Sequence, residues 1–557
     1  MNDREAIGSK FISGFTRVSL ICLIHCSGAW AETIPAATAA GVPPAQVLEA
    51  EGAIIGEITI DTENVFDPSI PEEDRKLYRL ANNLHVRTRP KIIRRQLLFK
   101  EGDIFQQRLL DESERILRSN SYLRDASIVP VRIHDGKVDI LVRTDDVWTL
   151  DPRLSIGRSG GANNYTVGVK DANFLGTGIY VGLFQKSTVD RDSSELVFRD
   201  RELGNTRYYG SGRFQDNSDG RLLELNFGHP FYELDGHRAN AISLLNDKRV
   251  DSLYDLGEVQ DKFYHDIQYY EVSAGKSRGL RNGWVNRYTV GLTYDDQTFA
   301  PYTDESLPYM LVPEDRKFVY PFVQWELLED DFEETRNHDQ IGQTEDRYLG
   351  TSLLARIGYA SESFGSNANA ALMDFKFHTG FGSSETDSLI ADILFHSRLE
   401  SGEFDDAFFD FDAIYHHRHS TRQLFHAELS GALGYNLDLD HQILLGGDSG
   451  LRGYPLRYQG GDAKVLLTLE ERLFTDWYPF HLIRIGGAVF FDVGRTWGQN
   501  PVGGESLGWL SDVGFGFRFG NTRSGIGRLV HLDFAFPLDR TGDIDSFQIL
   551  LKGKASF

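Results

Sequence analysis

Val513-Gly-Phe-Gly-Phe-Arg-Phe-Gly520 alternates without a break: Val513, Phe515, Phe517 and Phe519 fall on one side of an extended chain, and Gly514, Gly516, Arg518 and Gly520 on the other. A side-chain period of two marks a strand. Ten residues on, Val530, Leu532, Phe534 and Phe536 oppose His531, Asp533 and Ala535. Upstream, Ile483, Ile485, Val489, Phe491 and Val493 oppose Arg484, Gly486, Ala488, Asp492 and Gly494, and Tyr288, Val290, Leu292 and Tyr294 oppose Arg287, Thr289, Gly291 and Thr293. Charged residues thus collect opposite the aromatics. A sheet with one apolar, aromatic face and one polar, glycine-rich face suits lipid outside and water inside. A soluble sandwich also alternates, but it needs neither so long a train of segments nor so many outward aromatics. Roughly 20 such segments, separated by Gly, Asn and Asp turns, fill 148–557 and predict a transmembrane β-barrel, the one β arrangement that leaves no unpaired edge in lipid.

The last segment sharpens the reading. Phe547, Ile549, Leu551 and the final Phe557 share one face, the pattern of a barrel-ending strand recognised through strand addition during assembly.

Before Trp148 the texture is different. Ile54 to Asp61 alternates like a strand, and Asn64-Val-Phe-Asp-Pro68 supplies a turn. Arg89 to Leu98 and Gln106 to Leu123 read as helices; in the second, Leu109, Leu110, Ser113, Ile116, Leu117 and Asn120 form a stripe that faces a sheet. Asp125 to Ile133 and Lys137 to Thr144 are strands joined by His134-Asp-Gly136, a strong hairpin signal. The order strand, helix, helix, strand, strand makes 51–147 a small α+β domain. Residues 32–50, rich in Ala and Pro, read as a flexible linker. Residues 1–31 carry Arg4, Lys10 and Arg17, a short apolar run from Val18 to Ile24 and Ala29-Trp-Ala31, the make-up of a secretory signal peptide with a mature start near Glu32.

Composition excludes several classes. No stretch after residue 31 approaches the ~18 apolar residues of a spanning helix. The balance of 58 basic against 82 acidic residues, a net charge of −24, leaves no phosphate-neutralising surface and argues against nucleic acid as a partner. Both cysteines, Cys22 and Cys26, lie in the leader, so the exported chain is expected to have no disulfide, thiolate metal site or cysteine catalysis.

Three segments carry a family resemblance: Val167-Gly-Val-Lys-Asp-Ala-Asn-Phe-Leu-Gly-Thr-Gly178 at the start of the barrel, Gly446-Gly-Asp-Ser-Gly-Leu-Arg-Gly-Tyr454 before the last five strands, and Gly487-Ala-Val-Phe-Phe-Asp-Val-Gly494 on a strand. Phe99-Lys-Glu-Gly-Asp103 and Asp139 to Trp148 in the preceding domain look like the periplasmic polypeptide-transport-associated (POTRA) module. In their order and spacing, and over about residues 50 to 557, these segments resemble the BamA/TamA and two-partner-secretion transporter superfamily of bacterial outer membranes, the bacterial surface antigens. The resemblance implies a single POTRA-like module in the periplasm and a barrel of 16 strands in the outer membrane, against the 20 segments counted. It also implies that the loop 434–463 folds into the barrel with Leu451, Arg452, Gly453 and Tyr454 at its tip, Arg452 meeting the lumen-facing Asp492. Glu470, which alternation places with Lys464, Thr468 and Arg472, is the expected third member. Gly453 is expected to relieve the backbone at the tip, with Tyr454 packed beside it.

The function this implies is insertion or translocation of client polypeptides. Unfolded clients are expected to add to the edge strand at Asp125, Ala126, Ser127, Ile128 and Val129, with outer-membrane lipid, lipopolysaccharide and periplasmic chaperones or accessory proteins as further partners. A passive porin or receptor is the alternative, and an outer-membrane lipase or protease a third class. No catalytic residues, cofactor or metal are expected. Gly447-Asp-Ser-Gly450 copies four letters of a serine-protease loop but has no accompanying His segment. His416 and His417, with His419 close by, point to opposite faces and do not read as a metal site, and the acidic run Glu326 to Glu334 reads as a solvated flank.

Overall fold

The computed structural model describes residues 41–341, 343–503, 506–523, 529–540 and 544–554, so the leader 1–31, the first part of the 32–50 linker and Phe557 lie outside the described residues. Twenty strands among them, from Leu150–Ser159 to Gln548–Lys554, close into one barrel in chain order, each neighbouring pair antiparallel. The sixteen strands implied by resemblance are thereby corrected, and the raw count of alternating segments stands. Each of the twenty is paired on both sides and belongs to the wall. Two short hairpins, Phe332–Arg336 with Thr344–Tyr348 and Ile443–Leu445 with Gln459–Gly461, form separate sheets off the wall. More strands make a wider barrel, with room for chain inside it.

Alternation sorts the wall as its chemistry requires. Val290, Leu292, Val489, Phe515 and Phe517 are exposed on the outside, while Asp492, Asp512 and Arg518 are fully buried within. A closed barrel with this apolar outer face is that of an outer-membrane protein. Strands run from 7 to 24 residues. About 10 tilted residues suffice to cross a bilayer, so the longest, Glu258–Arg281, continues beyond it.

The N-terminal domain is a three-stranded sheet in which Lys137–Asp146 lies between Ile54–Glu63, parallel to it, and Leu123–His134, antiparallel. Asp135 and Gly136 both take positive φ, 50° and 73°, as a tight two-residue hairpin turn demands. Pro90–Gln96 and Gln107–Arg118 are helices, and a third that the sequence reading omits spans Lys76–Leu84. Its Leu77, Leu80 and Leu84 are exposed and only Tyr78 is buried, so it lacks the core-facing stripe by which a helix is recognised. The linker reading of 32–50 is also corrected: Ala45–Ala50 is helical, and Leu48 is fully buried against Ile93, Leu110 and Ile140.

The helix Gln107–Arg118 uses two faces. Leu110, Ser113 and Leu117 pack on the sheet, whereas Arg108, Glu112, Arg115 and Arg118 meet the near rim of the barrel. Arg108 pairs with Asp235, the amide of Leu234 donates to Glu112 at 2.7 Å, and Arg118 grips Asp346 with two bonds of 2.8 and 2.6 Å. The acidic run joins in, Asp330 to Arg115 and Glu334 to Arg118, both at 3.4 Å. It is an interface and not a solvated flank. The motif turn at 171–178 contributes Asn173, whose amide donates to Thr88 Oγ1 at 2.7 Å. Arg523 reaches down to Glu73 and donates to the Val65 carbonyl at 2.8 Å.

Candidate functional site

The chain between Gln423–Tyr435 and Ala463–Phe474 leaves the far rim and turns into the lumen. Leu451 and Tyr454 are fully buried there with Leu445, Tyr458, Leu466 and Leu510. This apolar contact seats the tip. Between them Arg452 donates to both oxygens of Asp492, at 2.7 and 2.9 Å, and to Glu470 at 2.9 Å. Its guanidinium also lies 3.4 Å from the centre of the Phe490 ring. A two-pronged carboxylate contact plus a stacked ring is what a planar guanidinium can make and an ammonium cannot. The Asp492 side chain is fully buried and that of Glu470 is 6% exposed. Removing one partner of such a pair strands a buried charge, at about 3–5 kcal/mol.

Gly453 is needed for space and not for backbone freedom. Its φ is not positive, but a Cβ there would sit 2.7 Å from the Asp512 Cβ and 3.0 Å from the Pro537 nitrogen. The expected relief of a strained tip is therefore corrected to a close approach. The Gly453 amide donates to Asp512 at 2.9 Å, and the Tyr454 hydroxyl donates to the Ser511 carbonyl at 2.9 Å.

The polar network extends past the residues the sequence reading named. Glu470 also faces Arg472 at 3.2 Å and Arg518 at 3.5 Å, and Arg518 pairs with Asp533. These groups line four adjacent strands, Ala463–Phe474, Ile483–Trp497, Leu510–Asn521 and Leu529–Pro537. Alternation already put Arg518 and Asp533 on the inner face, so the signal was present. Their convergence on one loop was not.

The loop is also held from other strands around the wall. Arg398 grips Asp438 at 2.7 and 2.9 Å, Arg316 grips Asp440 with two bonds of 2.8 Å, and the Tyr254 amide donates to Gln442 at 2.9 Å. Arg457 pairs with both oxygens of Asp190, at 2.7 and 2.9 Å. Burial alone raises the Asp190 carboxyl, but bonding and charge from Arg457 hold it below the usual range. Beside the loop remains a cavity of about 620 Å³ lined by Arg316, Arg356, Lys376, Arg398, Asp374 and other polar side chains.

A further contact lies at the seam where the barrel closes. Among the described residues, the first strand Leu150–Ser159 and the last strand Gln548–Lys554 share one ladder pair, Arg158 with Leu551. The other edge of the last strand pairs from Gln548 through Lys554. The loop bridges the seam: the Gly447 carbonyl accepts from Ser159 Oγ at 2.7 Å and from Lys552 Nζ at 3.0 Å.

The remaining candidates are placed as follows. Asp125 to Val129 lie on the edge strand Leu123–His134, but the Ala126 carbonyl accepts from Arg118 at 3.0 Å and the Ile128 amide donates to Glu114. Side chains of the neighbouring helix thus occupy two of that edge's backbone groups. Phe547 is exposed, and Ile549 and Leu551 follow it on the outer face, paired with Phe534 and Leu532. Ser449 Oγ exchanges bonds with the Gly446 backbone.

No protein-family model matches the chain, and no curated protein matches it. Among solved structures it is similar to CdiB from Escherichia coli, at 12% identity over 89% of this chain and 76% of that one, with a TM-score of 0.45. CdiB from Acinetobacter baumannii matches at 12% identity over 90% and 73%, with a TM-score of 0.41. BamA from Haemophilus ducreyi lacking POTRA domains 1–3 matches at 14% identity over 88% and 84%, with a TM-score of 0.37.

Proposed function

We infer that the protein is a non-enzymatic outer-membrane machine of the BamA/TamA-like kind its motifs resemble, which inserts or translocates client polypeptides, with residues 51–147 receiving clients in the periplasm. The observation that carries this reading is the attachment of one loop to several strands spread around the lumen, through Arg452, Asp438, Asp440 and Arg457, and to both strands of the seam through Gly447. Here the lumen holds a loop pinned by those charge pairs, and among the described residues the seam holds by one ladder pair. Release of the loop suits secretion through the lumen. Parting of the seam suits insertion, because a client strand then pairs with an exposed edge.

Receipt at Asp125 to Val129 requires an incoming strand to displace Glu114 and Arg118 from the edge. Such capping guards an idle edge against unwanted pairing. Lipid and lipopolysaccharide around the wall, and chaperones or accessory proteins beneath it, complete the proposed partners. The deciding experiment compares outer-membrane and secreted proteomes with and without the gene. Broad loss of barrel proteins supports insertion, and loss of one secreted protein with barrels intact supports a dedicated transporter. Unchanged proteomes alongside a large ion conductance indifferent to Arg452→Ala would establish the porin instead.

A further inference from the structure

The separate hairpin Phe332–Arg336 with Thr344–Tyr348 carries its turn up against the inner wall. Glu345 fixes that turn by accepting the amides of His338, Asp339 and Gln340 at 3.0, 2.9 and 3.1 Å. Arg418 on the wall donates to the Asn337 carbonyl at 3.3 Å. His338 is delivered to a fully buried position, and neither of its ring nitrogens makes a hydrogen bond. Its ring meets that of His416, centres 4.1 Å apart. His416, from the strand Glu403–Ser420, is 4% exposed, and its Nδ1 is likewise without a partner. One donor atom from each of His338, Asp339 and His416 lies within 4.8 Å of the others.

An unbonded imidazole nitrogen is costly to bury, and here two histidines that carry such atoms come together beside a carboxylate. We propose that His338, Asp339 and His416 form a binding site for a first-row divalent transition-metal ion of the zinc type. Two imidazoles and a carboxylate suit that class of ion, with remaining positions left for water. The surroundings fit the role. His416 Nε2 and His426 Nδ1 lie 2.9 Å apart, and His426 Nε2 lies 3.4 Å from Glu428. A proton on His416 Nε2, donated to His426, leaves the His416 Nδ1 lone pair free for the ion. That relay from carboxylate through imidazole is the outer-shell arrangement that fixes a ligand's tautomer.

Arg472 lies 3.4 Å from Asp339 Oδ1 and shares its charge with Glu470, and the Arg347 guanidinium also acts on this carboxylate. The other oxygen, Oδ2, is the one turned to His338, at 3.4 Å. Asp339 is half-exposed, which gives an ion its way in. Bound there, the ion would join the hairpin to the barrel wall, and through Asp346 and Arg118 to the N-terminal domain.

The test uses the full, tag-free chain in detergent, titrated with Zn²⁺ alone by calorimetry. One ion per chain is expected, with affinity at least tenfold weaker in His338→Ala and Asp339→Asn and unchanged in the exposed control His419→Ala. His338 and Asp339 lie on a turn off the wall, so heat-modifiable migration in gels confirms that their variants keep a closed barrel. Co²⁺ added to the unaltered chain should give visible absorption bands of a low-symmetry, low-coordinate site. The absence of zinc binding in the unaltered chain, or of those bands, overturns the proposal, as does undiminished affinity in His338→Ala.

Discussion

Ser159 and Lys552 stand on the first and last strands of the barrel, and both donate to one acceptor, the carbonyl oxygen of Gly447. The loop that fills the lumen therefore also spans the line where the barrel closes. A side chain at 447 is excluded, because its Cβ would lie 2.4 Å from the Tyr454 carbonyl and 2.8 Å from the Gly160 Cα. One loop carbonyl thus holds both strands of the seam.

Locking that seam separates the two routes. Arg158 and Leu551 are ladder partners, and antiparallel partners have Cα atoms about 4.5–5.5 Å apart, within disulfide range. Arg158→Cys with Leu551→Cys should fold, oxidise and block insertion of client barrels until reduced, as read by assembly of a heat-modifiable client. Full-rate insertion by the oxidised form would sink the seam route.

Arg452→Ala should leave a closed barrel but free the tip, because it leaves Asp492 and Glu470 facing each other without their shared cation. Client delivery should fall at least tenfold and the loop should become open to added protease, the local cost being about 3–5 kcal/mol. Arg452→Lys keeps the charge but loses the fork, so an intermediate loss is expected. A variant with full delivery and a protected loop refutes this role.

Burial pushes the Glu114 carboxyl up to about 7, with Arg118 opposing the shift and Glu334 and Asp111 adding to it. The folded state thus binds this proton more tightly than the unfolded chain does. Its contribution to stability is fully present below the unfolded value near 4.5 and is lost as pH rises through about 7. Amide exchange in the helix Gln107–Arg118, corrected for intrinsic rates, should show local opening easier at pH 8 than at pH 5 by on the order of 2–3 kcal/mol. Glu114→Gln should flatten that dependence, and an unaltered slope in the variant counts against it.

Leu48→Ala tests the helix Ala45–Ala50, which looks in the sequence like linker. A fully buried leucine typically costs about 2–5 kcal/mol on truncation, so amide protection of the Lys137–Asp146 strand should drop accordingly while the barrel stays heat-modifiable. Unchanged protection would mean that the helix is not part of the domain's core.

Residues such as Val513 to Gly520 determined the barrel without any coordinates, because side-chain direction in a strand depends only on parity. The same rule put Asp492, Glu470, Arg518 and Asp533 on the inner face. The number of strands also lay in the sequence, in the count of alternating segments; the sixteen of the resembling family did not override it, since every segment finds hydrogen-bond partners on both sides. Parity says nothing about which inner-face groups meet. The meeting of Arg452 with Asp492 was implied by the family resemblance, but the convergence of Ser159 and Lys552 on Gly447 and of His338 on His416, joining residues 288, 105 and 78 positions apart, was not. Closure of the barrel and the inward turns of one loop and one hairpin bring them together, and only the tertiary structure decides those.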